Sequence, residues 1–563
     1  MCEFKDKPEC VGGAEKSKLN VATIEGGNNG TFAPKELNKG TEYYESALGV
    51  TTFGKFNYLL ILICGLILAN VLLETLGISF VLPVSQCDLN LTVQERGIMS
   101  AIGFAGIISS SHLWGFLADT TGRRNIIRPT LLIGFFITVL SSFSTNFWTL
   151  VILRYLNGFC ISGGSATVYA YLGEFHTQKN RSRAIMGSAF IFGVGAMLMP
   201  AIAWLFINQE WRLALPFLGL TYKPWRLFMV VCGVPGLLCG LSLFKIPESP
   251  KFLLSQGQEE KCLDILKNIY HINTGKPKEE FPISHVTEDL DTSNRPRTHE
   301  TNANSNALVV LLRSMWTQTQ PLFNREYART TILICTIQFF IFCTSNGMYM
   351  WFPSILNSVA EFMSEYPNNS TFICDVVYAK QKATLAIELD ESIEQVCTEK
   401  LEISTYQHSL ILEVLYAVGF ALIGGIINSV GKRLILFICL AACGVCGVVA
   451  IFVSQPMVAI YLYVILLLCG LGINVLSAAT VELYPTRLRA MAVCISLMMG
   501  RLGSVVGANV VGALITNHCE TAFITSGVSL VIAGFMGFLI VGNKNKGQIS
   551  PERRVSLISM TGN

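Results

Sequence analysis

Four ionisable side chains fall inside apolar stretches of this chain. They are Glu74, in Ala69-Asn70-Val-Leu-Leu-Glu74-Thr75; Arg154; Glu413; and Arg501, in Met498-Met-Gly500-Arg501-Leu-Gly503. A charge at membrane depth is costly unless it is paired or wetted, so each marks an ion pair or a cavity. A guanidinium stays protonated and offers a planar fork to a carboxylate or sulfate. Glu74 and Arg501 are opposite charges in opposite halves, so each can polarise a substrate or the other. The alternative for Glu74, Arg154 and Arg501 is an ion pair that only sets helix rotation. Glu413, near the outer end of its segment, can also snorkel to the interface. Tyr349 and Trp351 close another apolar segment, as an interfacial belt or as cavity walls that stack on an organic substrate.

These residues need a membrane scaffold to position them. The chain has 563 residues, 51% of them hydrophobic and 14% charged, against about a quarter charged in soluble proteins. Twelve apolar runs are long enough to cross a bilayer, near 56–82, 96–117, 125–144, 147–172, 184–207, 225–244, 330–352, 408–430, 433–453, 456–481, 489–516 and 520–542. The expected fold is an all-α membrane protein of twelve transmembrane helices in two pseudo-symmetric six-helix bundles, 56–244 and 330–542. A polar tail (1–55, largely disordered), a linker (245–329), an insertion (353–407) and a second tail (543–563) complete the division. The tail at 1–55 lacks the apolar core of a leader, which predicts none is cleaved.

Lys and Arg cluster in alternate loops, at Arg123, Arg124 and Arg128, at Lys179, Arg181 and Arg183, at Lys432 and Arg433, and at Arg487 and Arg489. That bias places both termini and the linker in the cytosol. The insertion then faces outward or into a lumen. It carries overlapping glycosylation sequons at Asn368 and Asn369, and a cysteine pair, Cys374 and Cys397, expected to be bridged under oxidising conditions.

A ten-residue pattern occurs twice. Gly115-Phe-Leu-Ala-Asp119-Thr-Thr-Gly122-Arg123-Arg124 matches Gly424-Gly-Ile-Ile-Asn428-Ser-Val-Gly431-Lys432-Arg433. Glu174 with Arg181 recurs as Glu482 with Arg489. Two markers repeated in one order, half a chain apart, indicate duplication of a membrane unit. Asp119 can cap a turn or pair with an arginine of the other half, Gly122 permits a tight turn, and Arg123 and Arg124 meet lipid headgroups or helix ends. Glu174–Arg181 and Glu482–Arg489 are expected to clamp the cytosolic gate, with Asn428 and Arg433 in the second copy.

The first copy of this pattern resembles the signature loop of the major facilitator superfamily, and Arg154-Tyr-Leu-Asn-Gly158 resembles its helix-4 motif. Pro247-Glu248-Ser249-Pro250-Lys251-Phe252-Leu253-Leu254 and Val481-Glu482-Leu483-Tyr484-Pro485-Thr486 are similar to the branch of organic ion transporters and synaptic vesicle glycoprotein 2. Gly54-Lys55-Phe56, Phe80-Val81-Leu82-Pro83, Pro224-Trp225-Arg226 and Trp351-Phe352-Pro353 resemble the synaptic vesicle glycoprotein 2 family most. The resemblance implies a cavity lined by helices 1, 4, 7 and 10. It implies that the charge at Arg501 is matched to the substrate. Thr120 stands where the family usually has a base, and Val71 where it has an aspartate. The insertion of about 55 residues lacks the β-repeats of the larger domain found in synaptic vesicle glycoprotein 2.

Three functions compete. The first is a secondary transporter of a small organic ion, anion or zwitterion preferred, with Glu74 sensing a coupling proton or cation; an organic cation is the variant. The second is a non-transporting membrane or vesicle protein that binds partners. The third, an enzyme or channel, has no Walker motif or metal cluster behind it. No cofactor, metal or nucleic-acid partner is expected. The lipid bilayer is the expected medium, at the plasma membrane or in an intracellular vesicle.

Overall fold

The computed structural model describes residues 41–86, 88–216, 219–287, 316–317, 319–366, 371–379, 400–484 and 486–540. Twelve long helices dominate. In the first half they are α1 (Lys55–Ser85, with a joint at Gly77), α2 (Val93–Thr121), α3 (Arg123–Ser142), α4 (Phe147–Glu174), α5 (Gln178–Ile207) and α6 (Pro224–Ser242). In the second they are α7 (Ala328–Glu365), α8 (Ile403–Val430), α9 (Lys432–Val449), α10 (Pro456–Leu483, with a 3-10 turn inside), α11 (Thr486–Asn517) and α12 (Cys519–Phe538). Eleven are apolar enough to cross a membrane by composition alone. The twelfth, α4, is long enough but is diluted by Arg154, Asn157 and the run Ser162-Gly-Gly-Ser165.

Local chemistry sets the ends. Thr92 and Glu95 form a reciprocal cap at the start of α2, Glu95 N donating to the Thr92 hydroxyl at 3.3 Å and Thr92 N to the Glu95 carboxylate at 2.8 Å. Asn146 caps α4 through Thr149 N at 2.9 Å. The duplicated loops break the chain at Gly122 (φ 107°) and Gly431 (φ 91°), a conformation that a side chain disfavours. Both copies thus turn at the same place, between α2 and α3 and between α8 and α9.

The packing repeats as well. In the first half α1 lies on α5 and α3 on both α4 and α6; in the second, α7 lies on α11 and α9 on both α10 and α12. One pairing does not repeat. A Cβ on Gly158 of α4 would lie 2.2 Å from the Gly103 carbonyl oxygen of α2, and one on Gly106 would lie 2.3 Å from the Tyr155 carbonyl. Glycine permits this backbone approach of α2 to α4. At the repeat offset of 309, α8 carries Leu412 and Leu415 instead, and it stands further from α10.

Residues 41–50 and 250–287 form a small module on the linker side. Strand β1 (Thr41–Tyr43) pairs in parallel with β4 (His285–Thr287), and a separate hairpin, β2 (Leu213–Leu215) with β3 (Leu220–Tyr222), joins α5 to α6. Tyr44, Leu48, Leu254, Leu266, Tyr270, Phe281 and Val286 fill the module core. It docks on the first half: the Tyr44 hydroxyl donates to the Glu174 carbonyl at 2.7 Å, and Asn273 accepts from Phe56 N at 3.0 Å. Part of the polar tail and part of the linker are therefore one folded body.

Two expectations change here. Helix α7 runs through Pro353 to Glu365, because packing on α11 supports the helix where proline removes one hydrogen bond. Cys374 is bonded to Cys519 at the start of α12, not to Cys397; the two Cα atoms are 5.6 Å apart. The pairing expected inside the insertion left out Cys519, which lies between the apolar runs 489–516 and 520–542 and stands at a helix start on the same rim. Cys397, Asn368 and Asn369 lie outside the described residues.

Candidate functional site

Glu74 of α1 is buried, and Arg154 of α4 reaches it. Arg154 Nη1 donates to Glu74 Oε2 at 3.0 Å, and Nη2 donates to the Glu74 carbonyl oxygen. The Thr138 hydroxyl of α3 donates to Oε1 at 2.7 Å, and Asn157 donates to Thr138 at 2.7 Å and to the Gly134 carbonyl at 3.2 Å. Two buried charges and two polar partners thus form a closed network, which offsets the desolvation of both ions. Glu74 is spent on Arg154 within the first half.

Arg501 lies midway along α11, half-buried, and crosses to the other half. Its Nη1 donates to the Ser111 hydroxyl of α2 at 2.9 Å, and Ser111 lies 3.0 Å from Ser162 Oγ of α4. Among the described residues it has no carboxylate within 4.0 Å. Sequence-level reading missed Ser111 and Ser162, which are two hydroxyls among many. It missed Gln338 too, whose fully buried amide has no hydrogen-bond partner among the described residues and packs against α11 at Gly500.

Tyr349 and Trp351 are both buried. The Tyr349 hydroxyl donates to Glu413 Oε1 at 3.0 Å, and Trp351 Nε1 donates to the Ala508 carbonyl at 3.0 Å. Trp351 belongs to a seal between the halves. Arg96 of α2 stacks over its ring at 4.9 Å and donates to Ser354 at 2.7 Å and to Gln86 at 3.0 Å. Nearby, Asn208 donates to the Leu401 carbonyl at 2.9 Å and accepts from the Tyr406 hydroxyl at 2.8 Å. Lys400 bonds Glu210, and that hydrogen bond holds the Glu210 carboxyl below its usual range. These cross-half contacts gather on the insertion side, so the molecule is shut there.

The clamps on the linker side stay within each half. Arg123 pairs with Asp119 at 2.9 Å and with Glu174 at 3.1 Å. Glu174 was expected to meet Arg181. Arg181 instead donates to the Gly173 carbonyl at 3.1 Å, where the C-terminal dipole of α4 draws a cation. Lys432 bonds Glu482, at the positions that repeat Arg123 and Glu174. Arg124 Nε donates to the Leu243 carbonyl at 2.8 Å, and Gly122 leaves room for Glu248. The Glu248 carboxylate accepts from Arg124 N at 3.0 Å and Asn125 N at 3.2 Å, capping α3 from the linker. Arg433 is exposed; the side chains of Asn428 and Arg489 lie outside the described residues.

Two helical bundles, clamped within each half on one side and sealed across the halves on the other, frame these residues. The family model of the Major Facilitator Superfamily matches residues 59–371 and 402–560, and the chain belongs to that superfamily. Synaptic vesicle glycoprotein 2A of Homo sapiens is 27% identical over 343 residues, 59% of this chain and 46% of that protein. Synaptic vesicle glycoprotein 2B of Homo sapiens is 25% identical over 364 residues, 62% and 52%. The chain spans about half the length of these curated relatives. The Escherichia coli xylose transporter XylE, in a partially occluded inward-open conformation, shares the fold with a TM-score of 0.58 at 14% identity, covering 90% of this chain and 100% of that one. A bacterial homologue of the human lysosomal transporter Spinster, inward-facing, gives 0.57 at 13% identity, with 87% and 98% covered.

Proposed function

We propose that this chain is a secondary transporter that moves a small organic anion or zwitterion across the bilayer by alternating access. The carrying observation is Arg501: a guanidinium midway along α11 that donates to the Ser111 hydroxyl across the interface between halves, with no carboxylate within 4.0 Å among the described residues. The Glu74–Arg154 pair carries no net charge, so Glu74 does not offset the positive charge that a substrate meets at Arg501. A cation would be repelled there in low dielectric, and a carboxylate or sulfate would be attracted. With the linker in the cytosol, the sealed side faces out, toward a vesicle lumen or the cell exterior, and the Arg123 and Lys432 clamps tune the rocking equilibrium.

The test is uptake of labelled aromatic carboxylates, sulfate esters and quaternary ammonium ions into proteoliposomes. Arg501→Asp is expected to lose carboxylate and sulfate uptake at least tenfold. Unchanged anion uptake in that variant overturns the assignment. A second reading, a non-transporting vesicle glycoprotein, draws on the similarity to synaptic vesicle glycoproteins 2A and 2B. It predicts no uptake of any probe by a folded wild-type chain.

A further inference from the structure

Among the described residues, Glu413 is a second carboxylate buried in the helical bundles, and its surroundings differ from those of Glu74. It lies ten residues past Ile403, the first residue of α8. At 1.5 Å per residue that is about 15 Å along the helix, and about 8 Å into the apolar run that begins at residue 408. Only 8% of the residue is exposed, so the side chain does not snorkel to an interface. Among the described residues its hydrogen bond comes from the Tyr349 hydroxyl, at 3.0 Å to Oε1. Among the described residues no Lys, Arg or His lies within 4.0 Å of it, whereas Glu74 has Arg154 at 3.0 Å.

The Lys and Arg residues of the packed helices stand at their linker-side ends (Lys179, Arg181 and Arg183 on α5, Arg329 on α7, Lys432 and Arg433 on α9), and the titratable groups nearer Glu413 are neutral or already bonded. Helix α7 brings Tyr349. Helix α8 itself carries Tyr416, whose hydroxyl is spent on the Leu467 carbonyl, and His408, whose Nδ1 meets the Ser404 carbonyl at 2.7 Å. Helix α10 brings Tyr463, donating to the Met348 carbonyl at 2.8 Å, and the buried Cys469; α9 brings the buried Cys443. Helix α5, which packs along α8, has no titratable side chain between Ala184 and Ile207. A carboxylate this buried without a counter-charge is disfavoured, and a carboxyl escapes that cost by taking a proton.

We propose that Glu413 is a proton-binding site of the second half, occupied while the insertion side is shut. The carboxyl O–H remains intact in this state, with Tyr349 donating to the other oxygen. Helix α7 carries both Tyr349 and the seal residues Trp351 and Ser354, so opening the insertion side displaces the phenol and admits water. The O–H bond then breaks heterolytically, the proton passing to water as hydronium and the electron pair staying on the carboxylate. Use of that proton to drive uptake rests on the transport reading; the binding itself does not.

Infrared spectroscopy of the full chain in proteoliposomes reads the proton directly. The wild type is expected to show a protonated-carboxyl C=O stretch at neutral pH that shifts down in D2O. Glu413→Gln should remove it, and Glu74→Gln should leave it. Tyr349→Phe should keep the band but move it to higher wavenumber, since one hydrogen bond is lost. No such band in the wild type at neutral pH, or an undiminished band in Glu413→Gln, overturns the proposal. Should Glu413→Gln fail to fold, Tyr349→Phe decides, and an unmoved band is the refutation. A chain that shows the band yet takes up none of the uptake probes upholds the proton site and sinks the transport reading alone.

Discussion

The two halves descend from one pattern but hold their centres by different chemistry. At the repeat offset, Arg154 of α4 falls on Tyr463 of α10. Each donates to a backbone carbonyl of the first helix of its half, Arg154 to Glu74 and Tyr463 to Met348. The first half adds a carboxylate and becomes an ionic network; the second uses neutral phenols. The hinge loops and clamps repeat (Gly122 with Gly431, Arg123–Glu174 with Lys432–Glu482) while the interior has diverged. A fixed ion pair holds the first half in one rotation. Among the described residues, Arg501 and Glu413 of the second half have no oppositely charged side chain within 4.0 Å, and they are the groups proposed to take ligand and proton.

The sharpest contrast is between Arg154→Ala and Tyr463→Phe. The first leaves Glu74 buried and unpaired, at about 3–5 kcal/mol. The second removes one neutral hydrogen bond, about 1 kcal/mol. Thermal unfolding in detergent should show a much larger loss for Arg154→Ala, and Glu74→Leu with Arg154→Met should recover most of it. Equal losses would erase the distinction between an ionic and a neutral half.

Glu248 supplies the next test. It seals the α2–α3 turn, whereas nothing lies within 4 Å of a Cβ built at Gly431. Glu248→Ala should cost about 1.5–3 kcal/mol, the range for charge-assisted hydrogen bonds, read by the same unfolding assay. Hydrogen exchange should rise at the start of α3 and not at α9.

The smallest effect belongs to the clamps. Arg123 and Glu174 are 15% and 16% exposed, Lys432 and Glu482 21% and 68%. Lys432→Ala should therefore cost under about 1 kcal/mol, as exposed pairs do, and Arg123→Ala more. Thiol labelling of single cysteines placed at the seal should report a larger change in accessibility for Arg123→Ala. A reversed order would assign the gating equilibrium to the second half.

Much of the architecture was legible because a membrane leaves few options. Run length located the helices, and the paired glycines located the duplicated hinge. Resemblance to the major facilitator superfamily and the synaptic vesicle glycoprotein 2 branch agrees with the family match and the curated relatives. Partners were less legible. A sequence shows how deep Glu74 or Glu413 lies along a helix but not which way it faces, since lipid and protein neighbours are both apolar. Glu74 meets Arg154 across 80 residues, through a helix crossing that only packing defines. Glu413 lies five residues into its apolar run, and its burial against Tyr349 is what the run alone could not show. The Cys519 bridge was missed because the loop holding Cys519 is far in sequence from the insertion, and only packing brings the two together.

The parallel pairing of β1 with β4 has a consequence for biogenesis. Residues 41–43 and 285–287 bracket all six helices of the first half. Every contact of that ladder and of the module beneath it is complete once residue 287 has been synthesised. The leading half can thus fasten its own ends while α7 is still being made, in keeping with domains that fold as units in order of synthesis. The trailing half then inserts beside a finished neighbour that templates its seal.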